Sequence, residues 1–219
     1  DRTLANLRAL LATGEGKGIL RIIDLRRNFG QTPALLAGFA QVRGELVVTM
    51  DGDQQNDPND IPKLLERIDE GYDVVSGWRV NRQDKYWTRR LPSNLANRLI
   101  SLATNVHLHD YGCTLKAYRR DVLQKIELYG EMHRYVPVIA GWYGFKIAEI
   151  VVTHHPRRTG RSKFGRERII RGLLDFSTVM FFTRYVQRPS HVFGRIGLTF
   201  GICGFFALLA SLIFLWYSR

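Results

Sequence analysis

Asp51-Gly52-Asp53 is the point in this 219-residue chain where side chains of the right type stand at the right spacing for metal-assisted chemistry. Two carboxylates separated by a glycine can turn toward one hard cation. Mg²⁺ and Mn²⁺ take oxygen ligands and often keep a substrate diphosphate as a partner. Gln55 offers a further carbonyl oxygen, and a cation held by Asp51, Asp53 and Gln55 would neutralise charge developing on a departing diphosphate. Asp-Gly-Asp is also ordinary turn sequence, so the triplet gains its weight from what precedes it. That is Leu46-Val47-Val48, a continuous apolar run of the kind that forms a buried strand and delivers its last residues into a crevice. Asp57 and Asp60 read as turn and cap residues.

The candidate phosphate contacts are basic. Arg79 follows the apolar segment Tyr72 to Gly77, at another strand end on the same side of the expected sheet, where it would meet a phosphate. Arg89, Arg90 and Ser93 stand just before a helical stretch; a serine at a helix start with arginines beside it suits an anion, and a solvated basic turn with an N-cap explains any one of them equally well. Arg157 to Gly165 is a basic loop punctuated by glycines and containing Arg161, Ser162 and Lys163. It would clamp a diphosphate or a lipid phosphate at a membrane surface, or serve only as a polybasic anchor. His154 and His155 are neighbours on an expected strand end and so point apart, which argues against a metal pair.

The elements that must carry these residues follow from periodicity. Leu4, Leu7, Leu10 and Leu11 predict an opening helix, broken by Gly14 to Gly18, and Ile19 to Leu25 predicts a first strand. Thr32-Pro33 supplies an N-cap and first-turn proline for a helix carrying Leu35, Leu36, Phe39 and Val42 and ending at Gly44. Glu45 to Met50 is a strand, Ile61, Leu64, Leu65 and Ile68 mark the next helix, and Tyr72 to Gly77 is another strand. The alternation predicts a doubly wound α/β sheet with right-handed crossovers. Further on, Ser93 to Thr104 and Arg120 to Leu128 read as helices and Lys146 to Val152 as a strand. Arg166 to Tyr185 sets Ile169, Leu173, Phe176 and Met180 against Arg168, Arg171 and Arg184, the pattern of an amphipathic helix lying on a membrane.

The net charge of +12 predicts attraction to phosphates, and its location narrows the kind. From Arg134 to Arg195 there are 12 Lys and Arg against three acids, directly before an apolar tail. That tail, Ile196 to Tyr217, has no charged residue; its 22 residues reach about 33 Å as a helix, against a hydrocarbon core of roughly 30 Å. Trp216 and Tyr217 suit an aromatic belt, and the basic residues before the span predict a cell-membrane protein whose catalytic domain is cytoplasmic. Cys113 and Cys203 cannot build a disulfide framework, which fits reduced thiols. The chain opens at Asp1 with neither Met nor a signal-peptide pattern, as a processed or truncated protein does.

In order along the chain stand Arg27-Asn28-Phe29-Gly30, Asp51-Gly52-Asp53-Gln54-Gln55 with Pro58, Gly71-Tyr72-Asp73-Val74-Val75, Gly112-Cys113-Thr114-Leu115-Lys116 and Gly160-Arg161-Ser162-Lys163. Together they resemble the polyprenyl-phosphate glycosyltransferases of glycosyltransferase family 2, the group of dolichyl-phosphate mannose synthase and undecaprenyl-phosphate glucosyltransferases, over nearly the whole chain. The resemblance implies a GT-A (Rossmann-like) α/β domain over residues 1–160, a basic loop and interfacial amphipathic helices over 161–190, and a transmembrane helix over 191–219. It implies a nucleotide-sugar donor, a polyprenyl phosphate acceptor, Mg²⁺ or Mn²⁺, inversion at the anomeric carbon, contact with membrane lipids and assembly into homo-oligomers. Carried over, Asp51, Asp53 and Gln55 match the metal and donor-diphosphate motif, and Arg161, Ser162 and Lys163 match a loop near the donor. Arg79, Arg89 and Ser93 fall where the family binds the acceptor phosphate; Asp53 and Arg79 are the expected catalytic pair. The family's first strand and nucleoside-binding segment have no counterpart, since Asp1-Arg2-Thr3 matches only the tail of its Asp-Gly-Ser motif. Many bacterial relatives also carry a second transmembrane helix.

A phosphate monoester has a second pKa of about 6, so an acceptor phosphate is largely ionised at pH 7 and needs no strong base. The protein's tasks would be to position two polyanions and screen their repulsion. Two rivals remain. A processive polysaccharide synthase uses the same donor fold, but its Gln-x-x-Arg-Trp acceptor motif is absent from the sequence. A membrane-tethered nucleic-acid-binding protein would interleave basic residues with aromatics on a soluble face, whereas the excess here sits beside the span, so no nucleic-acid partner is expected.

Overall fold

The computed structural model describes residues 2–14, 16–80, 97–98, 100–101, 104–128, 130, 132–156, 177–178, 181 and 189–218. The chain divides into two compact units, Asp1–Lys163 and Phe164–Arg219.

The first unit is built on a four-stranded sheet of β1 (Leu46–Thr49), β2 (Val74–Trp78), β3 (Lys116–Arg119) and β4 (Ile147–Val151), in the order β1-β3-β2-β4. Helices α1 (Thr3–Thr13), α2 (Gln31–Phe39), α3 (Ile61–Asp69), α4 (Arg120–Lys125) and α5 (Val136–Trp142) accompany it. Leu64 and Ile68 recur at the spacing of one helix face, so α3 buries both against Val75, Leu115, Ala117 and Ala148. Paired residues on neighbouring strands share a face, and the register Val48↔Ala117↔Val75↔Ala148 makes this the α3 side of the sheet. The side chains one place along, Thr49, Lys116, Ser76 and Glu149, therefore lie in a row on the other side. Gly77 permits the close approach of the 113–115 segment: a Cβ there would stand 2.9 Å from the Leu115 carbonyl and 3.0 Å from Cys113 Sγ.

Three expectations need correction. The sheet is mixed, because β3 pairs antiparallel to both β1 and β2, so these two parallel strands are not neighbours. Lys-Ala-Tyr-Arg has little strand character of its own; its place comes from backbone pairing on both sides. Ile19 to Leu25 forms no strand, since extended backbone becomes a strand only beside a ladder partner, and Ile19 and Ile23 are exposed. Finally, α2 is capped at Gly30 and ends at Phe39 rather than running from a Thr32 cap to Gly44. Thr32 lies inside it, fully buried, its hydroxyl 2.8 Å from His133 Nδ1. Burial first, then the charges of Arg134 and Lys116, together push the His133 imidazole down to about 4, so it sits neutral in the core.

In the second unit, α6 (Pro189–Tyr217) contains a 25-residue stretch, Phe193–Tyr217, that is long and apolar enough to cross a bilayer. None of its side chains is buried; Phe200, Phe206, Phe214 and Trp216 are among those exposed. Among the described residues there is no disulfide, and Cys113 and Cys203 are free.

Candidate active site

Strands β1, β2 and β4 all run in one direction, so their C-terminal ends deliver Asp51, Arg79 and the segment Val152 to His155 to one edge of the sheet. This edge is where open α/β sheets bind ligands. Asp51 is met by α2: Gln31, in the first turn of that helix, donates from Nε2 to Asp51 Oδ1 at 3.2 Å. Gly30 at the cap has φ +95°, a value that a side chain rarely allows, and its amide bonds Asn28 Oδ1 at 2.9 Å. The positive end of the helix dipole thus lies beside the first carboxylate. Asp53 Oδ1 accepts from the Gln55 amide at 3.2 Å, closing a tight turn in which Gln54 takes a left-handed φ of 63°.

Residues 55–60 are stitched to the segment that leaves β4. His155 donates its amide to the Gln55 carbonyl at 2.8 Å, Gln55 Nε2 reaches the His155 carbonyl at 3.4 Å, and Asn56 bridges His154. His155 Nε2 lies 3.1 Å from Asp57, whose carboxyl is held below its usual value by the Asn59 amide and then by His155. Asp60, read from sequence as a cap, is almost fully buried, with Lys63 at 2.6 Å and the Thr153 amide at 2.6 Å. Burial alone would raise its pKa, but those partners outweigh burial and leave it lowered.

Arg79 is held in a fork. Its Nε and Nη2 donate to Asp110 at 2.7 and 3.0 Å, and the two side chains are only 14% and 4% exposed. Asp110 also accepts from the Gly112 amide at 3.1 Å. The turn carrying Asp110 is gripped from two strands. Glu149 on β4 accepts from the amides of His109 and Asp110 at 3.0 Å and lies 2.8 Å from His109 Nδ1. Lys116 on β3 donates to the carbonyls of Tyr111, at 3.4 Å, and Cys113. The His109 ring stacks on Trp78, with centroids 4.0 Å apart and planes within 14°. Burial lowers the Lys116 pKa and raises that of the Cys113 thiol, which leaves the thiol unreactive as well as enclosed.

The structure therefore brings Asp51, Asp53, Gln55 and Arg79 to one edge, while Arg89, Ser93, Arg161, Ser162 and Lys163 lie outside the described residues. The same holds for most of the expected interfacial helix from Arg166 to Tyr185. Sequence reasoning missed Asp110, Glu149 and Lys116 as site residues. The available sign was one charge beside or inside a largely apolar run, Lys116 after Cys113-Thr114-Leu115 and Glu149 within Ile147 to Val152.

A divalent cation fits the residues present. Asp51 and Asp53 supply hard oxygens at the open end of β1, and no group of three His, Cys, Asp or Glu side chains able to hold a metal occurs among the described residues. Mg²⁺ and Mn²⁺ are ordinarily held by one or two carboxylates with substrate phosphates and water, rather than by a closed protein cage.

The mixed α/β sheet has a GT-A-like fold. Solved structures agree. A mycobacterial protein superposes with a TM-score of 0.57 at 17% identity, covering 84% of this chain and 61% of that one. Glucosyl-3-phosphoglycerate synthase from Mycobacterium tuberculosis, in complex with Mn²⁺, UDP-glucose and phosphoglyceric acid, superposes with a TM-score of 0.54 at 17% identity, covering 80% and 64%. The sequence profile of glycosyl transferase family 2 matches residues 1–127, and the chain belongs to that family. It is 48% identical to the dodecaprenyl-phosphate galacturonate synthase of Rhizobium johnstonii, covering 95% of this chain and 62% of that protein. It is 39% identical to the undecaprenyl-phosphate 4-deoxy-4-formamido-L-arabinose transferase of Pseudomonas aeruginosa, over 97% and 60%. The chain thus spans about three fifths of the length of these curated relatives.

Proposed function

We propose that the protein transfers a sugar from a UDP- or GDP-linked donor to a polyprenyl phosphate, with inversion, at the cytoplasmic face of the cell membrane. The observation that carries this reading is the placement of Asp51, Asp53 and Arg79 on one sheet edge in a family 2 chain whose named relatives act on dodecaprenyl and undecaprenyl phosphates. Asp51 and Asp53, with Gln55, would hold Mg²⁺ or Mn²⁺, which supplies charge neutralisation for a leaving diphosphate. Arg79 would receive the acceptor phosphate, with Arg89 and Ser93 as further contacts, and Arg161, Ser162 and Lys163 would hold the donor. One phosphate oxygen attacks the anomeric carbon while its bond to the donor diphosphate breaks, so the acceptor needs only to be aligned and its repulsion screened. The apolar stretch Phe193–Tyr217 keeps the enzyme where that acceptor resides. The domain limits are 1–160, 161–190 and 191–219.

The test is transfer of radiolabelled sugar from a panel of UDP- and GDP-sugars to undecaprenyl phosphate, with Mg²⁺ or Mn²⁺ and with EDTA. Labelled lipid that disappears with EDTA is the expected result. Transfer to a growing polysaccharide instead would overturn the acceptor assignment, and label unaffected by chelation would overturn the metal.

A further inference from the structure

Across the face of the sheet turned away from α3 runs the row Thr49, Lys116, Ser76 and Glu149, one residue from each strand. Two of the four carry opposite charges, and both are enclosed: Lys116 is 2% exposed and the Glu149 side chain 9%. Among the described residues, their side-chain hydrogen bonds all go to one turn, residues 109–113. Glu149 takes the amides of His109 and Asp110 and faces the His109 ring nitrogen, while Lys116 gives to the carbonyls of Tyr111 and Cys113. An anion thus holds the N–H groups at the start of the turn and a cation holds the C=O groups at its end. Between those grips, Asp110 folds back on the Gly112 amide and presents both carboxylate oxygens to Arg79. Buried charges are a costly way to fix a turn that apolar packing would also hold, which points to a demand on the turn's orientation.

We infer that Lys116 and Glu149 are positioning residues that aim the Asp110–Arg79 fork at the phosphate of the acceptor. The inference rests on the reading of Arg79 given under Proposed function. A guanidinium recognises a phosphate through a planar pair of N–H bonds, so its plane must be set beforehand, and Asp110 sets it only if the turn is itself fixed. Electrostatics alone makes the opposite prediction for one variant. Lys116, Arg79, Asp110 and Glu149 sum to zero charge, and neutralising Glu149 leaves the site more positive, which would tighten phosphate binding if charge were all that mattered. Positioning requires that it weaken.

The experiment compares binding of undecaprenyl phosphate in nanodiscs, together with acceptor and donor KM, for wild type, Glu149→Gln, Lys116→Arg, Lys116→Met and Arg79→Gln. Glu149→Gln is nearly isosteric and keeps the comparison meaningful if Lys116→Met does not fold. The expected result is an acceptor Kd raised about ten-fold by Glu149→Gln with donor KM little changed, a misplacement of about 1 Å being able to cost up to about a hundred-fold. Lys116→Arg should restore most of what Lys116→Met loses, and Glu149→Gln should add nothing on an Arg79→Gln background. An unchanged or tighter Kd for Glu149→Gln, or effects that add to Arg79→Gln, overturns the inference while leaving the proposed function intact. A wild-type protein that binds no undecaprenyl phosphate overturns both.

Discussion

Replacing Asp110 by Asn should destabilise the fold by about 3 kcal/mol and misdirect Arg79. The magnitude follows from enclosure. Two unit charges about 4 Å apart attract by roughly 4 kcal/mol at an effective dielectric constant of 20, and desolvation of both groups consumes much of that gain. Removing one member is different, because it strands the other charge, at a cost of about 3–5 kcal/mol for a buried pair. Asp110→Asn takes from Arg79 its charged two-bond partner, and the Arg79 side chain, 14% exposed, recovers some hydration, so the low end applies. Arg79→Met takes the same fork from Asp110, at 4% exposure, while the Gly112 amide still holds it, which brings the two costs close together. Urea denaturation of the detergent-solubilised protein at pH 7, followed by tryptophan fluorescence, gives both values and that of the double variant. The expected double variant costs at least about 1.5 kcal/mol less than the sum of the singles, because the enclosed charge that had lost its fork has gone. Single costs under 0.5 kcal/mol, or strict additivity, would refute a coupled, enclosed pair.

Asp53→Ala is expected to abolish metal-dependent turnover, a loss on the order of a hundred-fold or more in kcat; steady-state transfer with titrated Mn²⁺ measures it, and unchanged activity would remove Asp53 from the metal site. His133 predicts a stability loss in acid. Its pKa is depressed from 6.5 to about 4, so its contribution is intact above 6.5 and disappears as pH falls from 6.5 toward 4, when the unfolded chain takes up a proton and the folded one does not. Allowing for partial hydration the loss is about 2 kcal/mol, read as a fall in Tm between pH 7 and pH 4.5 that His133→Gln should flatten. Gly77→Ala should cost about 1–3 kcal/mol in a denaturant midpoint, because its Cβ would meet a β3-side carbonyl and the Val152 methyl, both at 2.9 Å, on buried strands with little room to shift.

Much of this protein was legible because its signals are local. Leu64 and Ile68 mark a helix face by spacing alone, Leu46-Val47-Val48 marks a strand by composition, and the acidic turn follows that strand directly. The charge-free stretch from Ile196 to Tyr217 announces its length and polarity without reference to any other part of the chain. The tertiary structure alone decided what depends on pairing across long separations. Lys116–Arg119 has no strand pattern, yet it becomes β3 because backbone groups of β1 and β2 are there to bond it on both sides. Ile19–Leu25 has the pattern and forms no strand, because no ladder partner stands beside it among the described residues. The Arg79–Asp110 fork joins residues 31 apart, and Glu149 reaches its turn across 39, so no window of sequence contains either contact. Sequence by itself determined which chemistry the chain can attempt, since side-chain type and strand-end position are properties of short segments. The fold decided which charges are enclosed and what each one holds, since burial and partnership exist only once distant strands share a sheet.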